Sequence, residues 1–249
     1  PRFPLPSIWY EIPLNAPGIN CYGVSVPGAP GILIGFNENA AFGETNAGLD
    51  VKDHYRIEFK DENRNEYRLG QNWEPVKKRI DTIKVRGGVS VHDTILITKY
   101  GPVAFEDNGS DIALYWVAHH PSNELRTFYE LNRVSDNDGF HNALRHHGSP
   151  GQNFIYADNQ NNIAIKQRGE FPLRKIGHGK FVMNASDGDS LPEMIPYHHN
   201  PEQINPSRGI VSSANQAPTD TTYPYYYTGV FEEFRNRTIN DALRADSSV

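Results

Sequence analysis

The chain has 249 residues, a net charge of −6 and a hydrophobic fraction of 37%, so it can bury the core of one large domain or of two small ones. It carries no long basic run and no apolar run near the roughly 18 residues of a membrane span, which argues against nucleic acid and membrane as partners. The single cysteine, Cys21, excludes an internal disulfide and a cysteine-rich zinc site.

The first half of the sequence predicts a succession of short strands. The chain contains 13 tyrosines, 21 glycines and 18 prolines, a composition that suits strands joined by turns better than a helical bundle. Apolar and polar residues alternate within the candidates, as at Tyr55, Ile57 and Phe59. The predicted strands cover residues 8–14, 21–26, 31–36, 41–46, 54–59, 79–85, 89–98 and 113–118.

The second half adds helices to this pattern. Apolar residues at helical spacing predict helices at 124–133 and 139–147, with Ser122 and Asp136 as N-caps. No linker divides the chain, so we predict one α+β domain over residues 1–249. The remaining predicted elements are a hairpin at 153–157 and 163–167, a long irregular segment at 169–207, a strand at 209–214 and a helix with an apolar face at 231–243.

The usual nucleophile and zinc motifs are not found. No G-x-S-x-G motif occurs, which excludes a serine hydrolase of the nucleophile-elbow type. Cys21 lies in an apolar strand and is interpreted as a core residue rather than a thiol nucleophile. Histidine pairs stand at 119–120, 146–147 and 198–199 without H-E-x-x-H spacing, and adjacent side chains on a strand point to opposite faces, so we do not expect a zinc site.

Two aspartates form a candidate calcium turn. Asp50 and Asp53 are three residues apart with the Lys52 carbonyl between them, and such oxygens are ligands for Ca²⁺. The ion needs about six to eight oxygens, so further ligands would have to come from elsewhere. The alternative is a solvated turn in which Asp53 lies opposite an arginine. The acidic stretch at 136–139 lacks the calcium-loop pattern and is interpreted as a helix cap.

Asn215 and Arg237 form a candidate oxyanion site. An asparagine amide after a buried strand donates to a developing oxyanion, and an arginine in the following helix holds such an amide in place. The alternative is an asparagine in a turn and an arginine on a solvated helix face.

Six motifs together resemble the β subunit of the penicillin acylase (penicillin amidase) family. They occur in family order and cover nearly the whole chain. The family has the N-terminal-nucleophile hydrolase fold, so the resemblance implies part of a four-layer αββα sandwich with antiparallel sheets. The motifs are PSIWYEI at 6–12, PGAPGILIGFNENAAFGETNAGLDVKD at 27–53, YGPV at 100–103, QNFIYAD at 152–158, IPYHHNPEQINPSRGIVSSANQAP at 195–218 and FRNRTIND at 234–241.

The resemblance implies an amidohydrolase. In the family a precursor cleaves itself into α and β subunits, and the serine exposed at the start of the β subunit attacks an amide carbonyl with its own α-amino group as base. Asn46 matches the position whose main-chain N–H forms half of the oxyanion hole. Asn215 matches the asparagine that forms the other half, and Arg237 matches the arginine near it.

The resemblance also implies a metal and an acyl pocket. Asp50, Lys52 and Asp53 match the family's structural calcium turn, although a further carboxylate ligand expected near residues 225–227 is replaced by tyrosines. The positions that line the pocket in members taking aromatic acyl groups carry two apolar and two polar residues here. The polar residues need partners if they are buried, which argues against phenylacetyl specificity. The four residues are Leu33, Ile34, Glu44 and Gln152.

The family's catalytic serine is expected upstream of this sequence. It precedes the PSIWYE segment by a couple of dozen residues, whereas this sequence begins five residues before that segment. We therefore expect these residues to be inactive alone and to need an α subunit and the rest of the β subunit as partners. The expected substrate is a small N-acyl compound of the penicillin or cephalosporin type or an N-acyl amine. An acyl-homoserine lactone and a non-catalytic ligand-binding role are the alternatives, and the family implies a periplasmic or secreted protein.

Overall fold

The computed structural model describes residues 5–246. The described chain divides into two compact units, the first formed by the residues up to Leu49, His120–Phe171 and the residues from Met194 onward, and the second by Asp50–His119 and Pro172–Glu193. The single domain stays a prediction. Among residues 5–246, no helix combines the length and apolarity that crossing a bilayer requires.

The described residues form an α+β fold of antiparallel sheets with few helices, as the sequence predicts. The helices are α1 (Glu124–Leu131), α2 (Asn137–Leu144) and α3 (Phe234–Ala245). The strands are β1 (Tyr10–Ala16), β2 (Ile19–Ser25), β3 (Ile34–Asn37), β4 (Ala40–Asn46), β5 (Lys52–Ile57), β6 (Glu66–Leu69), β7 (Asn72–Pro75), β8 (Lys77–Ile83), β9 (Val91–Thr98), β10 (Gly101–Asp107), β11 (Ser110–Trp116), β12 (Gln152–Asp158), β13 (Ile163–Arg168), β14 (Met183–Asn184) and β15 (Glu202–Ile204).

The first unit is built on a seven-stranded sheet in the order β1-β2-β3-β4-β12-β13-β15. All of its strand pairs are antiparallel, and β4 pairs with β12 so that Asn46 lies opposite Gln152 and Glu44 opposite Phe154. Directly opposite residues share a face of the sheet. This register therefore decides which predicted site residues lie together.

Helices α1 and α2 cover one face of this sheet. Phe42, Phe154 and Tyr156 from the strands pack in one core cluster with Leu131 and Phe140 from the helices. Burying each such side chain stabilises the fold by about 1.5–3 kcal/mol. Cys21 belongs to the same cluster and is 2% exposed, which confirms its prediction as a core residue.

The first helix cap is one residue away from the predicted one. The side chain of Asn123 accepts the Arg126 N–H, so the prediction of Ser122 as the cap is wrong. The prediction of Asp136 is confirmed, because its carboxylate accepts the Gly139 N–H at 2.7 Å. Both helices lie where the apolar spacing predicts them.

A side chain replaces a strand neighbour at Ile32. The Asn132 amide accepts the Ile32 N–H at 2.9 Å and donates to the Ile32 carbonyl at 2.7 Å. These main-chain groups are thereby satisfied without a ladder partner. Strand β3 therefore begins at Ile34, three residues later than the prediction of 31–36.

The second unit contains a six-stranded sheet in the order β14-β5-β11-β10-β9-β8 and a separate hairpin of β6 and β7. The short β14 pairs with β5 in parallel, and the other pairs are antiparallel. Strands β6, β7, β10 and β14 are not predicted from the sequence, because β6, β7 and β14 are short and β10 has no buried residue.

Two predictions near the end of the chain need correction. Residues 209–214 do not form a strand, and the strand of this region is β15, inside the segment predicted to be irregular. Helix α3 begins at Phe234 instead of residue 231 and has no buried residue among the described ones. Phe234 is 77% exposed, so the predicted apolar face has no cover in this unit.

Candidate active site

The last residue of β4 meets the turn at Asn215. The Asn215 side-chain Nδ2 donates to the main-chain carbonyl of Asn46 at 2.9 Å. A carboxamide nitrogen carries two hydrogens, so this contact leaves the second available to another acceptor. The structure thus brings together Asn46 and Asn215, which the sequence analysis assigns to the two halves of an oxyanion hole.

The main-chain N–H of Asn46 points away from β12. The Ala47 N–H donates to the Gly151 carbonyl at 3.0 Å, and hydrogen-bonded pairs alternate with non-hydrogen-bonded pairs along an antiparallel ladder. The opposed Asn46 and Gln152 therefore form a non-hydrogen-bonded pair. Since the N–H and C=O of an extended residue point to the same side, the Asn46 N–H lies on the side where the carbonyl meets Asn215.

Asn215 holds a left-handed backbone conformation with φ of 64°. Asparagine tolerates this region better than most residues, but it still costs free energy relative to the ordinary regions. Conformations of this kind are often found at functional sites. The conformation directs the amide toward Asn46.

An arginine of α3 fixes the Asn215 amide, but it is not the predicted one. Arg235 Nη2 donates to Asn215 Oδ1 at 2.9 Å, which leaves the Nδ2 hydrogens directed at the Asn46 side. Arg237 Nη2 instead donates to Glu233 at 2.6 Å, in a pair whose side chains are 69% and 59% exposed. The contact expected of Arg237 is therefore made by Arg235, two residues earlier.

A buried polar network lies under the Asn46 carbonyl. Asn153 Nδ2 lies 3.2 Å from that carbonyl and from the hydroxyls of Thr45 and Ser213, and its two hydrogens are shared among these three acceptors. Asn153 Oδ1 accepts from Gln167 Nε2 at 3.2 Å, and the two amide side chains are 3% and 1% exposed. Buried amides among apolar strand residues are the sequence signal that could have revealed this network.

A polar cavity of about 440 Å³ adjoins the network. Its walls include Asn153 and Ser213 on one side and Arg237 and Arg244 of α3 on the other. Arg237 thus lines this cavity.

The predicted acyl-pocket residues divide between the two faces of the sheet. Glu44 lies opposite Phe154 and Gln152 opposite Asn46, so their side chains share the face that bears α1 and α2. Ile34 Cγ2 lies 3.5 Å from the position of a Cβ on Gly43, which places Ile34 on the other face. Leu33, in the loop before β3, is half-buried, and its N–H donates to the Val24 carbonyl at 3.0 Å.

Glu44 and Gln152 each hold a buried oxygen without a hydrogen-bond partner among the described residues, Oε2 in Glu44 and Oε1 in Gln152. Burial raises the pKa of Glu44 to about 7, because a desolvated carboxylate is less stable than the neutral acid. This face therefore presents acceptors and a carboxyl group that titrates near neutral pH.

In the predicted calcium turn, the guanidinium of Arg174 contacts the oxygens that the ion would need. Arg174 Nη1 donates to Asp53 Oδ1, and Nη2 donates to the carbonyls of Asp50 at 3.3 Å and Lys52 at 3.5 Å. Among residues 5–246 no three His, Cys, Asp or Glu side chains are grouped to hold a metal. The residues present do not fit calcium, and Asp53 lies opposite an arginine, as in the alternative interpretation.

The sequence of this chain matches a family model over its whole length. The model described as penicillin amidase matches residues 1–249. Relatives include the acyl-homoserine lactone acylase QuiP of Pseudomonas fluorescens, 28% identical over 84% of this chain and 27% of that protein. The penicillin acylase 2 proenzyme of Pseudomonas sp. is 27% identical over 98% of this chain and 32% of that protein.

The fold of this chain is similar to that of a solved acylase structure. The thermostable penicillin G acylase from Alcaligenes faecalis aligns with a TM-score of 0.76 at 23% identity, over 90% of this chain and 42% of that one. The chain spans about a quarter to a third of the length of the curated relatives it matches.

Proposed function

The chain belongs to the penicillin amidase family, and from this premise we propose that the full-length protein carrying it is an amidohydrolase that cleaves the amide bond of an N-acyl compound. The observation that supports the proposal most directly is the contact of Asn215 with the Asn46 carbonyl, with Arg235 on the other end of the amide. Two donors on one side of β4 suit a carbonyl oxygen that gains negative charge.

The proposed reaction proceeds through an acyl-enzyme. A serine hydroxyl from another part of the protein attacks the amide carbon, its proton passes to the serine's own α-amino group, and the Asn46 N–H and the second Asn215 N–H stabilise the oxyanion. The C–N bond then breaks, and the leaving amine takes the proton. Water hydrolyses the ester by the same route and regenerates the serine.

The proposal includes how the protein is assembled and where it acts. We propose that self-cleavage yields an α subunit, that this subunit and the rest of the β subunit complete the site, and that the protein acts in the periplasm or outside the cell. A four-layer αββα sandwich belongs to the same proposal, supported within the first unit by α1 and α2 packed on one face of the antiparallel sheet.

Two classes of acyl compound are candidates within this chemistry. Penicillin-type substrates and N-acyl homoserine lactones are both suggested by the names of the relatives. Glu44 and Gln152 present unpaired acceptors, which disfavours a purely aromatic acyl group. We therefore propose that acyl groups carrying a hydrogen-bond donor are better substrates than the phenylacetyl group.

The test is turnover by the full-length precursor. The purified protein is incubated with N-acyl homoserine lactones, penicillin G and a polar-substituted N-acyl amine, and the released amine is quantified while mass spectrometry looks for an acylated serine. We expect amine release together with an acyl adduct. Binding of these compounds without release of amine would favour the non-catalytic alternative and end the proposal.

A further inference from the structure

A buried carboxylate and a buried guanidinium form an ion pair at the turn of residues 50–53. The side chains of Arg174 and Asp53 are 3% and 1% exposed, so the two charges lie out of water. Asp50 Oδ1 accepts the Lys52 N–H at 3.2 Å, which shapes the turn so that its carbonyls point at Arg174. Within this pair the charge of Arg174 balances the charge of Asp53, so the buried carboxylate has a cation without a metal ion.

The guanidinium contacts the same oxygens that a metal in this turn would need. A calcium ion would take the Asp53 carboxylate and carbonyls of the turn as ligands at about 2.3–2.6 Å. Arg174 Nη1 and Nη2 already donate to Asp53 and to the carbonyls of Asp50 and Lys52. An ion enters only if the arginine leaves, and arginine remains charged at every physiological pH.

The segment that follows Arg174 is shaped around its guanidinium. Gly179 has a φ of +82°, and a Cβ there would lie 2.2 Å from Arg174 Nη1 and 3.1 Å from Asp50 Oδ2. Gly177 has a φ of +86° but nothing within 4 Å of its Cβ position. The two glycines share the backbone conformation, but only Gly179 is also required by the close approach of the guanidinium.

We propose that Arg174 is a built-in cation of this turn, which takes the place of a structural metal and makes the fold independent of calcium. The proposal concerns stability and does not depend on the proposed reaction. It accounts for the buried Asp53, the three-oxygen cradle and the position of Gly179 together.

The first experiment measures calcium binding to the full-length protein. Calorimetric titration with calcium chloride, and melting curves with millimolar calcium or with EDTA, are recorded for the wild type. We expect no saturable binding attributable to this turn and the same Tm in both buffers. Calcium binding to the Asp53→Asn variant is compared with binding to the wild type, which distinguishes binding at this turn from binding elsewhere in the protein. Binding in the wild type that Asp53→Asn abolishes would overturn the proposal.

The second experiment removes the arginine. Arg174→Ala leaves Asp53 buried without a partner, and we expect a loss of roughly 5 °C or more in Tm. Calcium should restore part of that loss, because the emptied space is lined by the oxygens that calcium prefers. The double variant Arg174→Ala/Asp53→Asn should not respond to calcium. Arg79→Ala, from an exposed ion pair with Asp81, is the control and should change Tm little.

The glycine pair keeps the proposal testable where Arg174→Ala does not fold. Gly179→Ala and Gly177→Ala carry the same backbone penalty, so the larger loss of Tm for Gly179→Ala measures contact with the guanidinium. Equal losses for the two variants would contradict the packing that the proposal requires. A Tm of Arg174→Ala equal to that of Arg79→Ala, or an unstable Arg174→Ala that calcium leaves unchanged, would also overturn it.

Discussion

The Asn215 side-chain amide donates to the Asn46 main-chain carbonyl at 2.9 Å, although 169 residues separate the two in sequence. The contact anchors one amide hydrogen and leaves the other free for a ligand on the same side of β4. It makes Asn215 both a brace of the strand end and, under the proposed function, half of the oxyanion hole.

We predict that variants of Asn215 in the full-length enzyme have a lower kcat because the side-chain amide is lost, and not because the backbone is strained. Asn215→Ala and Asn215→Gly should each lower kcat by roughly 10²–10³-fold. Both variants lose the contact with the Asn46 carbonyl, but glycine adopts the φ of 64° without penalty, so Asn215→Ala should be about 1 kcal/mol less stable than Asn215→Gly. Steady-state kinetics with chemical denaturation measures both. A wild-type rate for Asn215→Gly would remove the amide from the mechanism.

Two arginines of α3 offer a matched pair. Arg235 contacts Asn215 and Arg237 contacts Glu233, so Arg235→Ala should lower kcat roughly 10- to 100-fold, because a charge-assisted hydrogen bond that orients the amide is lost. Arg237→Ala should lower it much less. KM should stay within about threefold for Arg235→Ala, since Arg235 positions a group that acts on the transition state. The reverse order of the two kcat losses would restore the role that the sequence analysis assigns to Arg237.

Glu44 should make stability depend on pH. Burial raises its pKa from 4.5 to about 7 in the folded protein, so the unfolded chain releases the proton first and stability falls as pH rises through this range. The free energy of unfolding of Glu44→Gln should therefore exceed that of wild type by up to roughly 3 kcal/mol near pH 8 and by little near pH 4. Urea unfolding at both pH values measures this. Glu11→Gln, at an exposed position of β1, is the control, and a pH-independent difference for Glu44→Gln would refute the prediction.

Asn132 should be worth more to stability than an exposed asparagine of the neighbouring helix. Asn132→Ala leaves the N–H and C=O of the fully buried Ile32 without partners, which costs about 2–5 kcal/mol of unfolding free energy for the two groups together. Asn142→Ala, at an exposed position of α2, should change it by less than about 0.5 kcal/mol. Thermal and urea unfolding compare the two variants. Equal effects would mean that the main-chain groups of Ile32 find other partners.

The sequence by itself determined the fold class, helices α1 and α2 and the strands that frame the site, because each depends on local periodicity. Alternation locates β4 and β12, and helical spacing with the Asp136 cap locates α2. The same local signal is weak in β6, β7 and β10, where few residues are buried, and it wrongly extends a strand through residues 209–214.

Only the tertiary structure decided which side chains meet, because those contacts depend on packing between distant segments. Sequence spacing does not distinguish Arg235 from Arg237 as the partner of Asn215. The orientation of α3 brings Arg235 to Asn215 and directs Arg237 to Glu233. Asp53 looks like a metal ligand in sequence, but an arginine 121 residues later is its cation. A sequence motif specifies which donor and acceptor atoms are present, and the tertiary fold determines which partners they contact.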